Sequence, residues 1–169
     1  TERHEGAERI HHLAFHDPLT QLPNRLTLSD RLQHAMAASK RSGRYGALLF
    51  LDLDHFKPVN DIHGHVAGDL LLVQTAERIS KCVREMDTVA RFGGDEFVVM
   101  LGELDLGFAS SMAQAKVVAE KIRAAIAEPY FLDITANDGS LRHVEHHCTT
   151  SIGVTLFLNH EHTEDEVLK

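Results

Sequence analysis

Residues Ala47 to Leu51 form an uninterrupted apolar run that stops abruptly at Asp52. Five residues is a strand length, and a strand with no polar position is stable only where both faces are covered. The run therefore predicts a central strand inside a sheet, with helices on either side and a carboxylate at its tip. The chain has 169 residues and a 43% hydrophobic fraction, enough for one core and one globular domain. No apolar run approaches the roughly 18 residues of a membrane span, and no charged-then-apolar leader opens the chain. Cys82 and Cys148 lie far apart without metal-ligand spacing and read as reduced, partly buried thiols. The net charge of -8 argues against nucleic-acid binding, which needs a basic stripe to displace counterions. A phosphate ligand would need local help, such as a divalent cation held by carboxylates.

Helical spacing of Ile10, Leu13 and Ala14 predicts a linker helix over residues 1–16, ahead of a domain over 17–169. Asn24 is placed to cap a helix with Leu28, Leu32, Ala35 and Met36 on its apolar face, ended by Gly43. After a short segment from Phe56 to Gly64, Leu72, Ala76, Ile79 and Val83 mark a helix running to about Arg84. Thr88 to Phe92 and Glu96 to Leu101 are strand-like runs on either side of Gly93 and Gly94, which tolerate the positive φ angles of a tight turn. A helix with Ala115, Val118, Ala119, Ile122 and Ile126 on its stripe stops before Pro129. Phe131 to Thr135 and Leu141 to His147 predict a second hairpin across Asn137, Asp138 and Gly139. A strand with Ile152, Val154, Leu156 and Leu158 alternating follows, and its neighbours should pair antiparallel. Thr163 and Glu166 form a capping-box pair opening a last helix. The expected class is α+β, an α/β sandwich with a mostly antiparallel central sheet flanked by helices.

Two acidic clusters stand at predicted element ends: Asp52 and Asp54 after the central strand, Asp95 and Glu96 after the Gly-Gly turn. Acids beside turns are ordinarily solvated polar residues. If the hairpin pairs beside the central strand, however, Asp52 and Asp95 meet at one edge as an oxygen-rich site suited to Mg²⁺. The thirteen histidines, including His12 with His16 and His146 beside His147, lack a supporting cysteine or carboxylate at ligand spacing and read as surface residues.

Arg91-Phe92-Gly93-Gly94-Asp95-Glu96-Phe97 contains the signature of the GGDEF family of diguanylate cyclases. Asp17-Pro18-Leu19-Thr20 with Leu22-Pro23-Asn24-Arg25 is similar to that family's N-terminal motif, with Gln21 in place of the commoner glycine. Asp52-Leu53-Asp54-His55-Phe56-Lys57-Pro58-Val59-Asn60-Asp61, then Gly64-His65 and Gly68-Asp69, follow in register, and Ser151-Ile152-Gly153-Val154 resembles the last core strand. The resemblance implies the ferredoxin-like palm of nucleotidyl cyclases and a reaction joining two GTP into cyclic di-GMP and pyrophosphate at a symmetric homodimer interface. It implies Mg²⁺, with Mn²⁺ as a substitute, on Asp52, the Leu53 carbonyl, Asp95 and Glu96, with Asp95 also the proton acceptor and Glu96 the second catalytic acid. It implies guanine contacts from Asn60 and Asp69, a nearby His65, phosphate-cradling amides around His55 and Phe56, charge from Lys57, and room for a triphosphate at Gly93 and Gly94.

Arg84 and Asp87 fit the family's RxxD inhibitory site, where cyclic di-GMP would act as product inhibitor. An upstream sensor domain, a possible downstream phosphodiesterase domain and a cytoplasmic setting are implied as well, with no membrane contact by this domain. The family's last helix carries a lysine and an arginine for the terminal phosphates. This sequence stops at Lys169 before that helix completes two turns, so the domain is expected to be C-terminally truncated. The competing readings are a non-catalytic module binding GTP or cyclic di-GMP to regulate an attached domain, and a purely structural dimerisation module.

Overall fold

A computed structural model describes residues 14–136 and 138–158. Most of the expected linker helix, His12, Asn137 and the capping-box helix at Thr163 lie outside the described residues. Asn24 begins the first helix as expected: its side chain accepts the Thr27 N–H at 3.1 Å, and α1 (Arg25–Ser42) ends at Gly43, whose φ of 73° is left-handed. Leu28, Leu32 and Met36 are buried along it, while Ala35 is only half-buried. The strand predicted over Ala47–Leu51 is β1 (Gly46–Leu53), and the segment after it coils into the short helix α2 (Phe56–His63). Gly64, at φ 85°, separates α2 from α3 (His65–Ser80).

α3 stops at Ser80 and not near Arg84. Beyond it the Asp87 carboxylate accepts the Arg84 N–H at 2.9 Å and the Gly102 N–H at 3.3 Å, a local capture that competes with continued helix. The expected hairpin is β2 (Thr88–Gly93) and β3 (Glu96–Leu101), with a register shift between Arg91 and Gly93. α4 (Phe108–Ala127) leads past Pro129 into β4 (Tyr130–Thr135), which pairs with β5 (Leu141–His146) as a separate two-stranded sheet. The last strand is β6 (Thr150–Phe157), which leaves Leu158 outside.

The main sheet has the order β2-β3-β1-β6, antiparallel throughout, so the apolar run does lie between two neighbours. Leu49, Leu51 and Leu53 face a core with Leu71, Leu72, Ile79, Ile122 and Ile126 of α3 and α4. Leu48 packs on the opposite face with Leu28, Leu32 and Met36 of α1, together with Val98 and Met100. Each such fully buried leucine contributes about 2 kcal/mol of transfer free energy, and together they fix which residues stand at the strand ends.

Arg78 of α3 joins the second sheet to this body. Its NH1 donates to the Ala125 and Glu128 carbonyls at 2.8 and 2.7 Å, its NH2 to Pro129 at 2.6 Å, and its guanidinium stacks 3.6 Å from the centre of the Tyr130 ring. One side chain thereby satisfies three carbonyls at and just past the end of α4. His146 is half-buried with its Nε2 enclosed, unlike the surface histidine expected, whereas His147 is exposed and meets Glu145.

Candidate active site

Antiparallel pairing of β1 with β3 sets Asp52 opposite Glu96, and the Leu53 N–H donates to the Asp95 carbonyl at 3.3 Å. Asp52 and Asp95 therefore stand at one edge, as expected if the hairpin pairs beside the central strand. Burial, and then the neighbouring Asp52 carboxylate, push the Asp95 carboxyl above its ordinary value; a hydrogen bond with Asp52 and the charge of Glu96 act in the same direction. Two repelling carboxylates are an arrangement that a hard divalent cation relieves. Among the described residues no three His, Cys, Asp or Glu side chains form a metal-holding group. The oxygen donors that fit a cation here are thus the Asp52 and Asp95 carboxylates, with the Leu53 main chain beside them, and Glu96 stands next to the pair.

The turn that carries Asp95 is held from the N-terminal motif. Arg91 NH1 donates to both carboxylate oxygens of Asp17, at 2.9 and 3.1 Å, while its Nε and NH2 donate to the Gly94 carbonyl at 3.0 and 2.9 Å. Both side chains of the pair are 13% exposed, so water screens it little. Burial raises the Asp17 pKa, but the Thr20 amide and hydroxyl and the Arg91 guanidinium outweigh it and hold the carboxyl below its usual range. Gly93 at φ 140° and Gly94 at φ 50° supply the backbone the turn demands. Gln21 also has a positive φ, 64°, which explains physically why glycine suits that position. Sequence reasoning missed the Arg91 clamp; the signal was a cation two residues ahead of the first glycine.

The residues expected to hold the base and phosphates lie on α2 and α3. Asn60 Oδ1 is buried without a partner among the described residues, and it occupies the space that a Cβ at residue 68 would fill, so Gly68 leaves a seat for it. A buried amide oxygen with an unmet hydrogen-bonding need fits a ligand with adjacent N–H donors, such as a guanine edge. Asp69 follows Gly68 and is exposed, as is His65 at the start of α3. His55 precedes α2 at φ 63°, Phe56 packs on the core, and Lys57 is exposed in the first turn, where unpaired amides point outward. Asp52 also lines a cavity of about 260 Å³, together with Arg25, Phe50, Phe92 and Glu96, and the Arg25 guanidinium lies 5.0 Å from the Phe92 ring centre. Arg25 was visible in the sequence only as part of a motif.

Arg84 and Asp87 do meet, away from the acid pair. Arg84 Nε and NH2 donate to Asp87 at 3.2 Å each, and NH2 also reaches the Gly102 carbonyl at 2.6 Å. The Arg84 side chain is 53% exposed and that of Asp87 only 2%, so the guanidinium is the accessible member.

A mostly antiparallel sheet between helical layers, with paired acids at the end of its central strand, defines an α+β fold of the palm-like class. The family model described as "Diguanylate cyclase, GGDEF domain" matches residues 14–169, and the chain belongs to that family. It is 44% identical over 156 residues to the bifunctional diguanylate cyclase/cyclic di-GMP phosphodiesterase MucR of Pseudomonas aeruginosa, covering 92% of this chain and 21% of MucR. The diguanylate cyclase TpbB of the same species is 40% identical over 157 residues, covering 93% of this chain and 33% of TpbB. The chain thus spans a third or less of these relatives. Among solved structures, the GGDEF domain of TpbB (YfiN) is similar with a TM-score of 0.74 and 40% identity, over 90% of this chain and 81% of that one. The coiled coil and GGDEF domain of DgcB from Caulobacter crescentus, in complex with c-di-GMP, is similar with a TM-score of 0.80 and 26% identity, over 99% and 81%.

Proposed function

We propose that this chain is the catalytic domain of a diguanylate cyclase that condenses two GTP into cyclic di-GMP and two pyrophosphates, in a metal-dependent reaction between two facing copies. The observation that carries the reading is the meeting of Asp52 and Asp95 at one sheet edge, next to the Asn60 seat on α2. Asn60 and Asp69 orient guanine, whose N1 and N2 donors and O6 acceptor distinguish it from adenine. The amides after His55 and the Lys57 ammonium take the phosphates, and the bare backbone of Gly93 and Gly94 leaves space beside them. Asp52, Asp95 and the Leu53 carbonyl would hold Mg²⁺ or Mn²⁺, which lowers the pKa of a 3′-hydroxyl and neutralises charge on the leaving pyrophosphate when bound. Asp95, at the edge where the 3′-hydroxyl would lie, accepts its proton, and Glu96 supports it.

One domain presents one GTP, so each hydroxyl needs an α-phosphate from a second copy, and twofold symmetry supplies both. Arg84, with Asp87 beneath it, is the proposed product site. An arginine fork and stacking plane suit cyclic di-GMP, and DgcB in complex with c-di-GMP supports a family able to bind it. MucR, a bifunctional diguanylate cyclase and cyclic di-GMP phosphodiesterase, supports attachment to a phosphodiesterase domain in a longer protein, and an upstream sensor domain is part of the same proposal.

The test incubates the full-length, dimer-competent protein with GTP and Mg²⁺ and identifies products chromatographically beside an Asp95→Ala control. Cyclic di-GMP formation that rises more than linearly with protein concentration and disappears in the control is expected. No product, or an unchanged control, refutes the reading, and tight nucleotide binding without turnover would assign a regulatory module instead.

A further inference from the structure

Where β1 leaves the sheet, the neighbouring strand β6 grips it. Asp54 Oδ2 accepts the Thr149 hydroxyl at 2.8 Å, Oδ1 accepts the Ser151 hydroxyl at 3.1 Å, and the Asp54 N–H donates to the Thr149 carbonyl at 2.9 Å. The Thr150 hydroxyl adds a bond to the Asp52 carbonyl at 3.0 Å. β1 lies between β3 and β6, so Asp54 is bonded toward the strand opposite the one that brings Asp95. Although Asp52 and Asp54 form one acidic cluster in the sequence, the fold divides them between two neighbours.

The residue after Asp54 explains what such a grip does. His55 has a φ of 63°, a region that side chains other than glycine resist, and it makes no side-chain capping bond. A turn held against local preference needs an outside constraint. Asp54 is the adjacent residue that has one. The main chain on its two sides carries the Leu53 carbonyl and the Phe56 and Lys57 amides.

We propose that Asp54 is a positioning residue: fixed by Thr149 and Ser151, its carboxylate shapes the Leu53–Lys57 turn for the phosphates and does not itself bind metal. The inference rests on the nucleotide-binding reading above. It requires hydrogen bonds and not negative charge. An asparagine serves as well as the aspartate, its oxygen accepting one hydroxyl while its NH₂ donates to the other.

Asp54→Ala, Asp54→Asn and the pair Thr149→Val with Ser151→Ala test it in the full-length protein, with thermal melts to verify folding. In nucleotide-free protein, amide hydrogen exchange at position 54, whose N–H is bonded to the Thr149 carbonyl at 2.9 Å, should, after correction for the intrinsic rate, speed up about tenfold in Asp54→Ala and in the Thr149/Ser151 variant, but stay within about threefold in Asp54→Asn. Calorimetry with a non-reactive GTP analogue and Mg²⁺ should give the same pattern, about tenfold weaker binding for the first two variants and an unchanged half-saturating Mg²⁺ for Asp54→Asn. Unchanged exchange in Asp54→Ala overturns this inference alone, as does an Asp54→Asn defect equal to that of alanine with a raised Mg²⁺ requirement. Should Asp54→Ala not fold, the single Thr149→Val and Ser151→Ala variants carry the same expectation in smaller measure, and wild-type behaviour in both refutes it. Failure of the wild type to bind the analogue sinks the functional reading and this inference with it.

Discussion

Gly68→Ala should separate stability from nucleotide binding. Alanine in a helix interior is favoured over glycine by about 0.5–1 kcal/mol, and α3 offers no other reason for a glycine there. The added methyl, however, overlaps Asn60 Oδ1. What obstructs it is the end of a rotatable side chain and not main chain, so Asn60 swings aside and the fold survives, with net stability within about 1 kcal/mol of wild type. On the nucleotide-binding reading proposed above, the bond Asn60 would make to guanine is then lost and a guanine donor left bare, a penalty of about 1–3 kcal/mol, or roughly 5- to 150-fold in affinity. Thermal unfolding and calorimetry with a non-reactive GTP analogue measure the two quantities on one sample. Asn60→Ala should show a similar loss, and the double variant no further one. Wild-type affinity in Gly68→Ala would refute the reasoning. A stability loss above about 2 kcal/mol would refute it too, because backbone would then have absorbed the overlap.

Three further perturbations follow from geometry already described. Arg91→Ala removes four bonds and strands a largely buried Asp17, so unfolding free energy should drop by about 2–3 kcal/mol in denaturant titrations. Because the Asp17 pKa is held below the free value of 3.8, its contribution is complete above that pH and lost as pH falls through the folded pKa. Arg91→Ala should therefore flatten the acid limb of the stability curve. Asp95 has the opposite sign: its pKa is raised, so its stabilising contribution exists at low pH and is lost as pH rises through the folded value. Asp52→Asn should accordingly raise the melting temperature of metal-free protein at pH 7 and abolish any increase produced by Mg²⁺. Arg84→Ala should weaken cyclic di-GMP binding by at least about tenfold with little effect on melting. Asp87→Ala, by contrast, should cost about 2 kcal/mol, since the Arg84 and Gly102 amides lose their acceptor.

Patterns with a fixed period were read correctly from the residues. The apolar run became β1, the stripes on α1 and α4 became core, and the Gly-Gly turn joined β2 to β3, because burial and backbone sterics act locally on each of them. The meeting of Asp52 with Asp95 was legible only conditionally, since it depends on which strand pairs with which. Features set by a distant partner stayed hidden. Asp87 ends α3 early by reaching Gly102, fifteen residues on. Asp54 looks like a twin of Asp52 until β6 arrives with Thr149 and Ser151. Arg91 spans 74 positions to reach Asp17, and no periodicity records such a reach. Gly68 was legible only as part of a motif until Asn60 was seen to occupy its missing side chain's place.

Arg78 also sets how the small β4–β5 sheet hangs from the rest of the molecule. One planar fork ties off three carbonyls at the far end of α4 while its flat side rests on Tyr130, the first residue of β4. A lysine there would offer three donors from one nitrogen, without the fork's spread to reach all three oxygens, and no plane to lie on the ring. With that rivet drawn, Tyr130, Leu132 and Ile134 would still seat the hairpin on the core, but the turn of chain that enters it past Pro129 would lose its tether.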